Sequence, residues 1–351
     1  MFGLSKSKGN YAYTVTRAKA KKSLLIKEDD YNKMLQLSVS EVARFVSEEG
    51  YSKEITDLSD RMVGVDLVER ATYAYMADNF KALLKGSQGE LHTMLAAYLQ
   101  KWDNWNLKVI LRGKSYGVSA DGIRDDLVPA GNLSYEDLDK LIALDTTEEI
   151  LAAYSKAESV DIPSELIADY KATGTLGRIE DYVDKFHYIR MVKIIPTNSI
   201  PARMFSDYIR KEIDVRNLET ILKLKMENID GEKVMEYIIP GGKQIDAKLA
   251  KQLIDAKTVE ETFPDLAQLD FYDYIKELVD SGKMNISDLV LETKKYEANE
   301  AKKFSQQYPL SILPIIDYMI SMEIEARNVR MIARGIESGL DKEVIKGLLV
   351  I

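Results

Sequence analysis

The sequence predicts an all-α protein built from three related helical units, and three observations support this fold class. The 351 residues include only 8 prolines, which leaves room for long uninterrupted helices. Leu, Ala, Lys, Glu and Ile are plentiful, and this composition favours helix over strand. One segment also recurs with a constant spacing, which is typical of a repeated supersecondary unit. A chain of this length can hold two or three such units, each with a buried core.

The repeat rests on one segment that occurs three times, at residues 102–112, 213–223 and 324–334. Asn106, Asn217 and Asn328 lie at equivalent positions. The same shift aligns three acids and three bases, which are Asp103, Asp214, Glu325, Arg112, Lys223 and Arg334. In the first copy the asparagine falls on or beside an apolar stripe with helical spacing. A buried amide must be hydrogen-bonded and can tie its helix to a neighbouring backbone. We therefore predict that the repeated acid and asparagine are structural fixing points.

Helix-start signals and turns support the same repeat. Ser38, Thr146 and Thr258 each stand three residues before a Glu, which is the sequence form of a capping box. A Pro/Gly turn begins at Pro129 and again at Pro240, and a third copy would begin at position 351. The sequence thus predicts three units at residues 1–128, 129–239 and 240–351, the first with a basic N-terminal segment.

Charge and composition limit the classes of partner. The net charge of −9 argues against a nucleic-acid surface along the whole chain. No segment reaches the roughly 18 apolar residues of a membrane span, and the N-terminus lacks the apolar core of a signal peptide. The chain contains no cysteine, which agrees with a cytosolic protein. The segment 1–27 carries a charge of +7, so the remainder carries −16. This basic segment is either a solvated helix face or a docking surface for an acidic partner or lipid headgroups.

No motif in the sequence indicates an active site. His92 and His187 are the only histidines, and they lie in different predicted units without partner spacing. Gly113-Lys114-Ser115 resembles the end of a phosphate-binding loop, but Lys108 stands where such a loop needs a glycine. Gly241-Gly242-Lys243 lacks the following hydroxyl residue. The sequence therefore predicts a protein that is not an enzyme and that has no cofactor, metal or small-molecule substrate.

Several segments of the chain resemble a known family. Tyr11-Ala12-Tyr13, Arg17-Ala18-Lys19-Ala20 and residues 38–45 are similar to the opening of the C subunit of archaeal A-type ATP synthases, the family that includes the d subunit of V-type ATPases. Residues 98–114, which contain Trp102-Asp103-Asn104-Trp105-Asn106, resemble its most recognisable segment, and Leu127-Val128-Pro129-Ala130-Gly131 follows as in that family. The resemblance extends over essentially the whole chain and is strongest in the first third.

The resemblance implies a fold, a location and partners. It implies a funnel of three helical domains around a pseudo-threefold axis, peripheral to the cytoplasmic side of the cell membrane. Such a protein receives the axle of a rotary ATPase, sits on the membrane proteolipid ring, and transmits torque between them for ATP synthesis or hydrolysis coupled to hydrogen-ion or other ion transport. It binds no nucleotide and no metal of its own.

Two groups of residues are predicted contacts within such a complex. Arg17, Lys19, Lys21 and Lys22 are candidates for contact with the ring or with lipid headgroups. Arg216 and Arg327 replace Trp105 in the second and third copies and are candidate axle contacts. An alternative function is a soluble helical-repeat scaffold for other protein partners.

Overall fold

A computed structural model describes residues 9–196, 198–282 and 284–351, except for the side chain of Pro201. Every regular element in these ranges is a helix, so the predicted all-α class is confirmed. Residues 1–8, including the basic Lys6 and Lys8, lie outside the described ranges.

The helices vary widely in length. In chain order they are α1 (Tyr11–Lys22), α2 (Glu28–Met34), α3 (Val39–Val46), α4 (Ser52–Leu58), α5 (Gly64–Gly86), α6 (Gly89–Ser115), α7 (Ala120–Asp126), α8 (Tyr135–Ile142), α9 (Thr147–Glu158), α10 (Ser164–Thr173), α11 (Gly177–Ile194), α12 (Ile200–Met226), α13 (Gly231–Tyr237), α14 (Ala247–Asp255), α15 (Phe263–Leu266), α16 (Tyr272–Ser281), α17 (Ile286–Gln307), α18 (Leu313–Glu337) and α19 (Lys342–Gly347). A π-helical turn (Ser47–Tyr51) joins α3 to α4, and a 3₁₀ turn (Glu260–Thr262) precedes α15.

The repeated segments lie in the three longest helices, α6, α12 and α18, which have 27, 27 and 25 residues. Each follows another long helix, α5, α11 or α17, and a short connection. Each is followed by a reverse turn and a short helix of six or seven residues, α7, α13 or α19. The same order of helices thus occurs three times, with the spacing of the sequence repeat.

The described residues divide into two compact units, one with residues 9–187 and 321–349 and the other with 188–320, 350 and 351. The first unit contains two apolar cores. One joins Leu107, Ile110 and Leu111 of α6 to residues between 123 and 183. The other joins Val329, Ile332 and Ala333 of α18 to residues between 26 and 68. The second unit has a core in which Leu218, Ile221 and Leu222 of α12 meet residues between 234 and 296.

These cores place equivalent parts of the repeated helices in equivalent roles. In each core, buried side chains from the C-terminal half of one repeated helix pack against shorter helices. The shorter helices follow α6 and α12 in sequence, whereas α18 packs against α19 and also against α2 and α3 from the start of the chain. The third repeated helix therefore shares a core with segments from the opposite end of the sequence.

Two predicted capping boxes form in full, and the third forms in part. Ser38 accepts a hydrogen bond from Glu41 N while Glu41 Oε2 accepts from Ser38 N. Thr146 and Glu149 make the same reciprocal pair. Thr258 accepts from Glu261 N, but the Glu261 carboxylate accepts from Lys257 N instead. The helix that begins there is a 3₁₀ turn followed by one short α-turn, α15, which contains Pro264.

Candidate functional site

In the first two copies, the repeated acids bind backbone amides of the loops that follow the short helices α7 and α13. Asp103 accepts from Asn132 N at 2.7 Å and from Leu133 N at 3.0 Å. Asp214 accepts from the N–H groups of three consecutive residues, 243 to 245, at 2.9 to 3.0 Å. Both carboxylates are buried. Because a buried N–H without a partner is costly, each acid fixes the loop that leads into the next helix.

The Pro/Gly turns make room for these carboxylates. A Cβ atom at Gly131 would lie 2.2 Å from Asp103 Oδ1, and one at Gly242 would lie 2.2 Å from Asp214 Oδ1. Only glycine allows the loop backbone to approach the acid this closely. The turn and the acid, whose separation in sequence is the same in both copies, are therefore two halves of one junction.

The repeated asparagines complete that junction. Asn106 Nδ2 donates to Val128 O at 2.8 Å, and its Oδ1 accepts from Val128 N at 2.8 Å. Asn217 makes the same two bonds to Ile239, at 2.9 and 2.8 Å. Both amides are fully buried, and each supplies both the donor and the acceptor that the enclosed backbone groups need. We call the acid, the asparagine and the loop they bind the helix–loop junction.

The third junction is closed by the start of the chain. Glu325 Oε2 accepts from Ile26 N at 2.5 Å, and Glu325 Oε1 accepts from the Tyr51 hydroxyl. Ile26 directly precedes the N-cap of α2, as Leu133 precedes that of α8 and Ile245 that of α14. All three acids thus bind the amide of the residue that directly precedes the N-cap of a short helix. Asn328 is fully buried and is hydrogen-bonded to Tyr31 of α2.

Sequence reasoning found the acids and asparagines but did not find what they bind. It also placed the third unit at residues 240–351 without the start of the chain, and those boundaries stay a prediction. The sequence does contain a signal that the start of the chain resembles the segment after α7. Residues 26–30 have an apolar residue, then a polar residue, then an acidic helix start, and residues 133–137 have the same order.

Burial changes the acidity of the junction carboxylates. Burial, together with the neighbouring Glu158 carboxylate, raises the pKa of Asp103 to about 8. Burial raises the pKa of Glu325 to about 7, and it raises the pKa of Asp214 above its ordinary range. Glu158 is itself held by Gln100 Nε2 at 2.9 Å. The oxygens of the three junction carboxylates accept hydrogen bonds from backbone amides and, in Glu325, also from the Tyr51 hydroxyl.

The basic candidates on α1 lie along the C-terminal half of α5. Asn10 ties the start of α1 to Gly86 O and Gln88 N at 2.7 and 2.9 Å. Lys21 Nζ donates to Asn79 Oδ1 at 2.5 Å, and burial lowers the pKa of Lys21. Arg17 is half-buried and donates to Ala82 O at 3.4 Å. Lys22 is half-buried, while Lys19 is exposed. These contacts leave Lys19 as the most accessible of the four cations.

The two arginine candidates are both held by groups of their own unit. Arg216 Nη1 lies 2.9 Å from Glu219 Oε2, and its Nη2 lies 3.4 Å from Glu297 Oε1. Arg327 Nη1 donates to Leu348 O at 2.9 Å. Trp105, at the equivalent position of α6, is partly exposed and meets Trp102 edge-on, with 6.3 Å between ring centroids. The three equivalent positions therefore differ in chemistry.

Within the described ranges, no group of three or more His, Asp or Glu side chains is arranged to hold a metal ion. His92 shares hydrogen bonds with Ser87 Oγ and Leu84 O, both at 3.1 Å, at the start of α6. His187 is buried. Among the helices described, none combines the length and the apolar character needed to cross a membrane.

Long helices with repeated buried junctions define a class of all-helical proteins with an internal repeat. Comparison with known proteins identifies the class more closely. The profile of the ATP synthase (C/AC39) subunit family matches residues 14–348, and the chain belongs to this family. The predicted resemblance is thus confirmed. Membership also supports the prediction that the chain is one component of an ATP synthase complex, without an active site of its own.

The similarity to individual relatives spans nearly the full length of both chains. The chain is 34% identical over 352 residues to the C subunit of the A-type ATP synthase of Methanococcoides burtonii, covering 99% of this chain and 96% of the relative. It is 32% identical to the C subunit from Archaeoglobus fulgidus, with 98% of both chains covered. It is 30% identical to that from Halobacterium salinarum, with 97% of both covered.

Proposed function

We propose that this chain is the central-stalk coupling subunit of a rotary ATP synthase or ATPase, linking the axle to the membrane proteolipid ring. The observation that carries the proposal is the threefold recurrence of the helix–loop junction. A torque-transmitting adaptor needs a stiff connection between its long repeated helices and the shorter helices that pack against them. A buried carboxylate and a buried amide that bind the same loop provide that stiffness, because moving either one would leave enclosed peptide groups unpaired.

Three similar units also fit the partners in this proposal. A ring is built from many copies of one small subunit, and several weak contacts engaged together resist slipping better than one contact. In this proposal the chain is peripheral to the membrane on its cytoplasmic side, and it is held there by the ring. The predicted units at residues 1–128, 129–239 and 240–351 would each carry one part of the load.

The predicted contact residues are part of the proposal. Lys19, together with Arg17, Lys21 and Lys22, is a candidate contact for the ring or for lipid headgroups. Because Lys21 and Arg17 already donate to α5, Lys19 would carry most of such a contact. Arg216 and Arg327 are candidate axle contacts, although Arg216 already pairs with Glu219 and Glu297 and Arg327 donates to Leu348 O.

The proposal is tested by removing the chain from the purified complex. Without it, we expect the soluble head to keep hydrolysing ATP while ATP-driven ion pumping into vesicles is lost. Adding back the purified chain should restore pumping. Co-purification from detergent-solubilised membranes should recover the chain with both axle and ring subunits. Pumping that persists in a complex lacking the chain would contradict the proposal.

A further inference from the structure

The start of the chain lies across the end of the sequence as a strap. We define the strap as residues 10–37, which contain α1 and α2. Its first residue ties α1 to the end of α5. Its apolar side chains, among them Tyr31 and Met34, belong to the core that α18 and α19 also form. The hydrogen bond from Ile26 N to Glu325 Oε2 joins the strap to α18, so Glu325 is a polar link between the two ends of the sequence.

Glu325 has fewer backbone donors than the equivalent acids. Asp214 accepts from three backbone N–H groups, and Asp103 accepts from two. Glu325 accepts from one, and its other oxygen accepts from the Tyr51 hydroxyl. Backbone N–H donors stabilise the charged form of a carboxyl group. The charged form of Glu325 therefore has less support of this kind than that of the other two acids.

The groups that surround Glu325 supply no positive charge. Three phenols and one carboxylate act on it from three other elements, and these are Tyr31 of α2, Tyr51 and Glu49 of the π-helical turn, and Tyr75 of α5. Among the described residues, none of the groups that act on the Glu325 carboxyl is a lysine or an arginine. A buried carboxylate without a cation is costly, so this environment favours the neutral form.

The cations nearest in sequence are held elsewhere. Arg327 Nη1 donates to Leu348 O at 2.9 Å. Arg330 Nη1 donates to the Tyr73 hydroxyl at 2.5 Å. Lys27, the strap residue that follows the bonded amide, is exposed. A negative charge at this junction is therefore not paired with any of these three cations.

The proton on Glu325 is linked to the position of the strap. With the strap closed, burial raises the pKa of Glu325 to about 7. With the strap open, water reaches the carboxyl group, and its pKa returns to about 4.3. Between these values the closed state holds the extra proton, so opening becomes more favourable as the pH rises towards the higher value. A protonated carboxyl group still accepts from Ile26 N through its carbonyl oxygen, so the bond that closes the strap survives protonation.

We propose that Glu325 is a pH-sensitive latch, which holds the strap closed while it carries a proton and favours opening when the proton is lost. Opening removes the strap from the apolar side chains of α18, which include Val329 and Ile332, and loosens the core at that end of the chain. The latch needs no partner. It therefore goes beyond the proposed function and is tested on the isolated chain.

Hydrogen exchange of the purified full-length chain measures the latch over a series of pH values from about 5 to about 9. The rates in α2 are divided by the intrinsic exchange rates at each pH, which gives the opening constant of the strap. α8, whose preceding loop is held by Asp103, is followed in the same experiment. Glu325→Gln keeps the shape of the side chain without a titrating group. Glu343→Gln makes the same change at an exposed residue of α19.

In the unchanged chain we expect the opening constant of α2 to rise by up to about tenfold per pH unit and to level off at a pH of about 7. Glu325→Gln should abolish this rise, while the pH dependence of α8 stays the same. Glu343→Gln should leave both unchanged. Tyr51→Phe removes a donor that favours the charged carboxylate, so the pH at which exchange levels off should increase.

A rise in α2 that persists in Glu325→Gln, or the absence of a rise in the unchanged chain, would overturn the proposal. Circular dichroism melting confirms that each variant is folded. If Glu325→Gln does not fold, the Tyr51→Phe chain decides, because exchange that levels off at the same pH as in the unchanged chain contradicts the latch as well.

Discussion

At the scale of single residues, the junction acids combine two opposing effects. Backbone N–H donors favour the charged carboxylate, while burial favours the protonated form. For Asp103 the second effect is reinforced by Glu158, since two buried carboxylates disfavour each other's charge. Lys81, which donates to Leu133 O at 2.8 Å, partly offsets this effect. The protonation of Asp103 is therefore linked to the hydrogen bonds that hold the loop before α8.

This linkage predicts how stability changes with pH. The pKa of Asp103 is about 8 in the folded chain and about 3.9 in an unfolded one. Between those values the folded state holds more protons, so its free energy of unfolding should fall as the pH rises from about 4 to about 8. Glu325, with a pKa of about 7, acts in the same direction up to about neutral pH. Urea unfolding at a series of pH values measures the slope.

A matched pair of variants isolates the contribution of Asp103. Glu158→Gln removes the neighbouring charge, so the pKa of Asp103 should move down towards its ordinary value and the slope should become shallower. Glu136→Gln removes an exposed carboxylate whose side chain is 82% accessible, and the slope should stay nearly the same. An unchanged slope in Glu158→Gln, or stability that increases with pH across this window, would contradict the argument.

At the scale of elements, the packing of the short helices α7, α13 and α19 depends on the residue that each one meets on the long helix before it. Gly113 of α6 receives Ile123 of α7, and Gly335 of α18 receives Ile345 of α19. In α12 the equivalent residue is Leu224, and Val234 replaces the isoleucine in α13. A pocket of about 230 Å³ that is open to solvent lies beside Val234, lined also by Ile221, Lys225 and Ile254. The second copy thus keeps the short helix α13 but has a different pair of residues at this position.

The packing at Gly113 gives a prediction for helix stability. A Cβ atom there would lie 2.5 Å from Ile123 Cγ1, so α7 would have to shift. Gly113→Ala should lower the free energy of unfolding by about 1–3 kcal/mol, although alanine in a helix is intrinsically better than glycine by about 1 kcal/mol. Thermal or urea denaturation measures the change.

Gly347→Ala is the control for this substitution. Gly347 is also helical, but a Cβ atom at that position meets nothing within 4 Å. Its substitution should be neutral or slightly stabilising. Measured in an Ile123→Ala background, which lacks both Cγ1 and Cδ1, Gly113→Ala should cost less stability than it does in the unchanged chain. Equal stability of Gly113→Ala and Gly347→Ala would show that the close contact has no energetic role.

Elements of the fold differ in how far sequence could predict them. The α-helical class follows from composition, and the capped starts at Ser38 and Thr146 follow from local chemistry that needs no tertiary context. The partners of Asp103 and Asp214 could not be read locally, because loop amides carry no side-chain signal. The incomplete box at Thr258 shows the limit, since Pro264 and the local packing turn a capped start into a 3₁₀ turn.

At the scale of the whole molecule, the chain closes its third core with its own beginning. Tyr31, Met34 and Val42 belong to the same buried cluster as Val329, Ile332 and Ile345. Glu325 then fixes the loop before α2 as Asp103 fixes the loop before α8. A linear repeat would leave its last helix without a lobe, with an apolar face in solvent. Here α2 and α3, from the start of the chain, cover that apolar face. They should therefore unfold together with α19 and the end of α18.

Hydrogen exchange tests this closure between the two ends of the sequence. Met34→Asp puts a charge where no side-chain surface reaches solvent, and a buried unpaired charge is strongly destabilising. We expect faster amide exchange not only in α2 and α3 but also in α19 and the end of α18, because all four share one core. Residues 107–183, which form a separate core, should keep most of their protection. Leu24→Asp introduces the same charge at a residue that is 70% exposed and should change exchange in none of these segments. If Met34→Asp loosens α2 and α3 while α19 stays protected, the start and the end of the chain do not form one cooperative lobe.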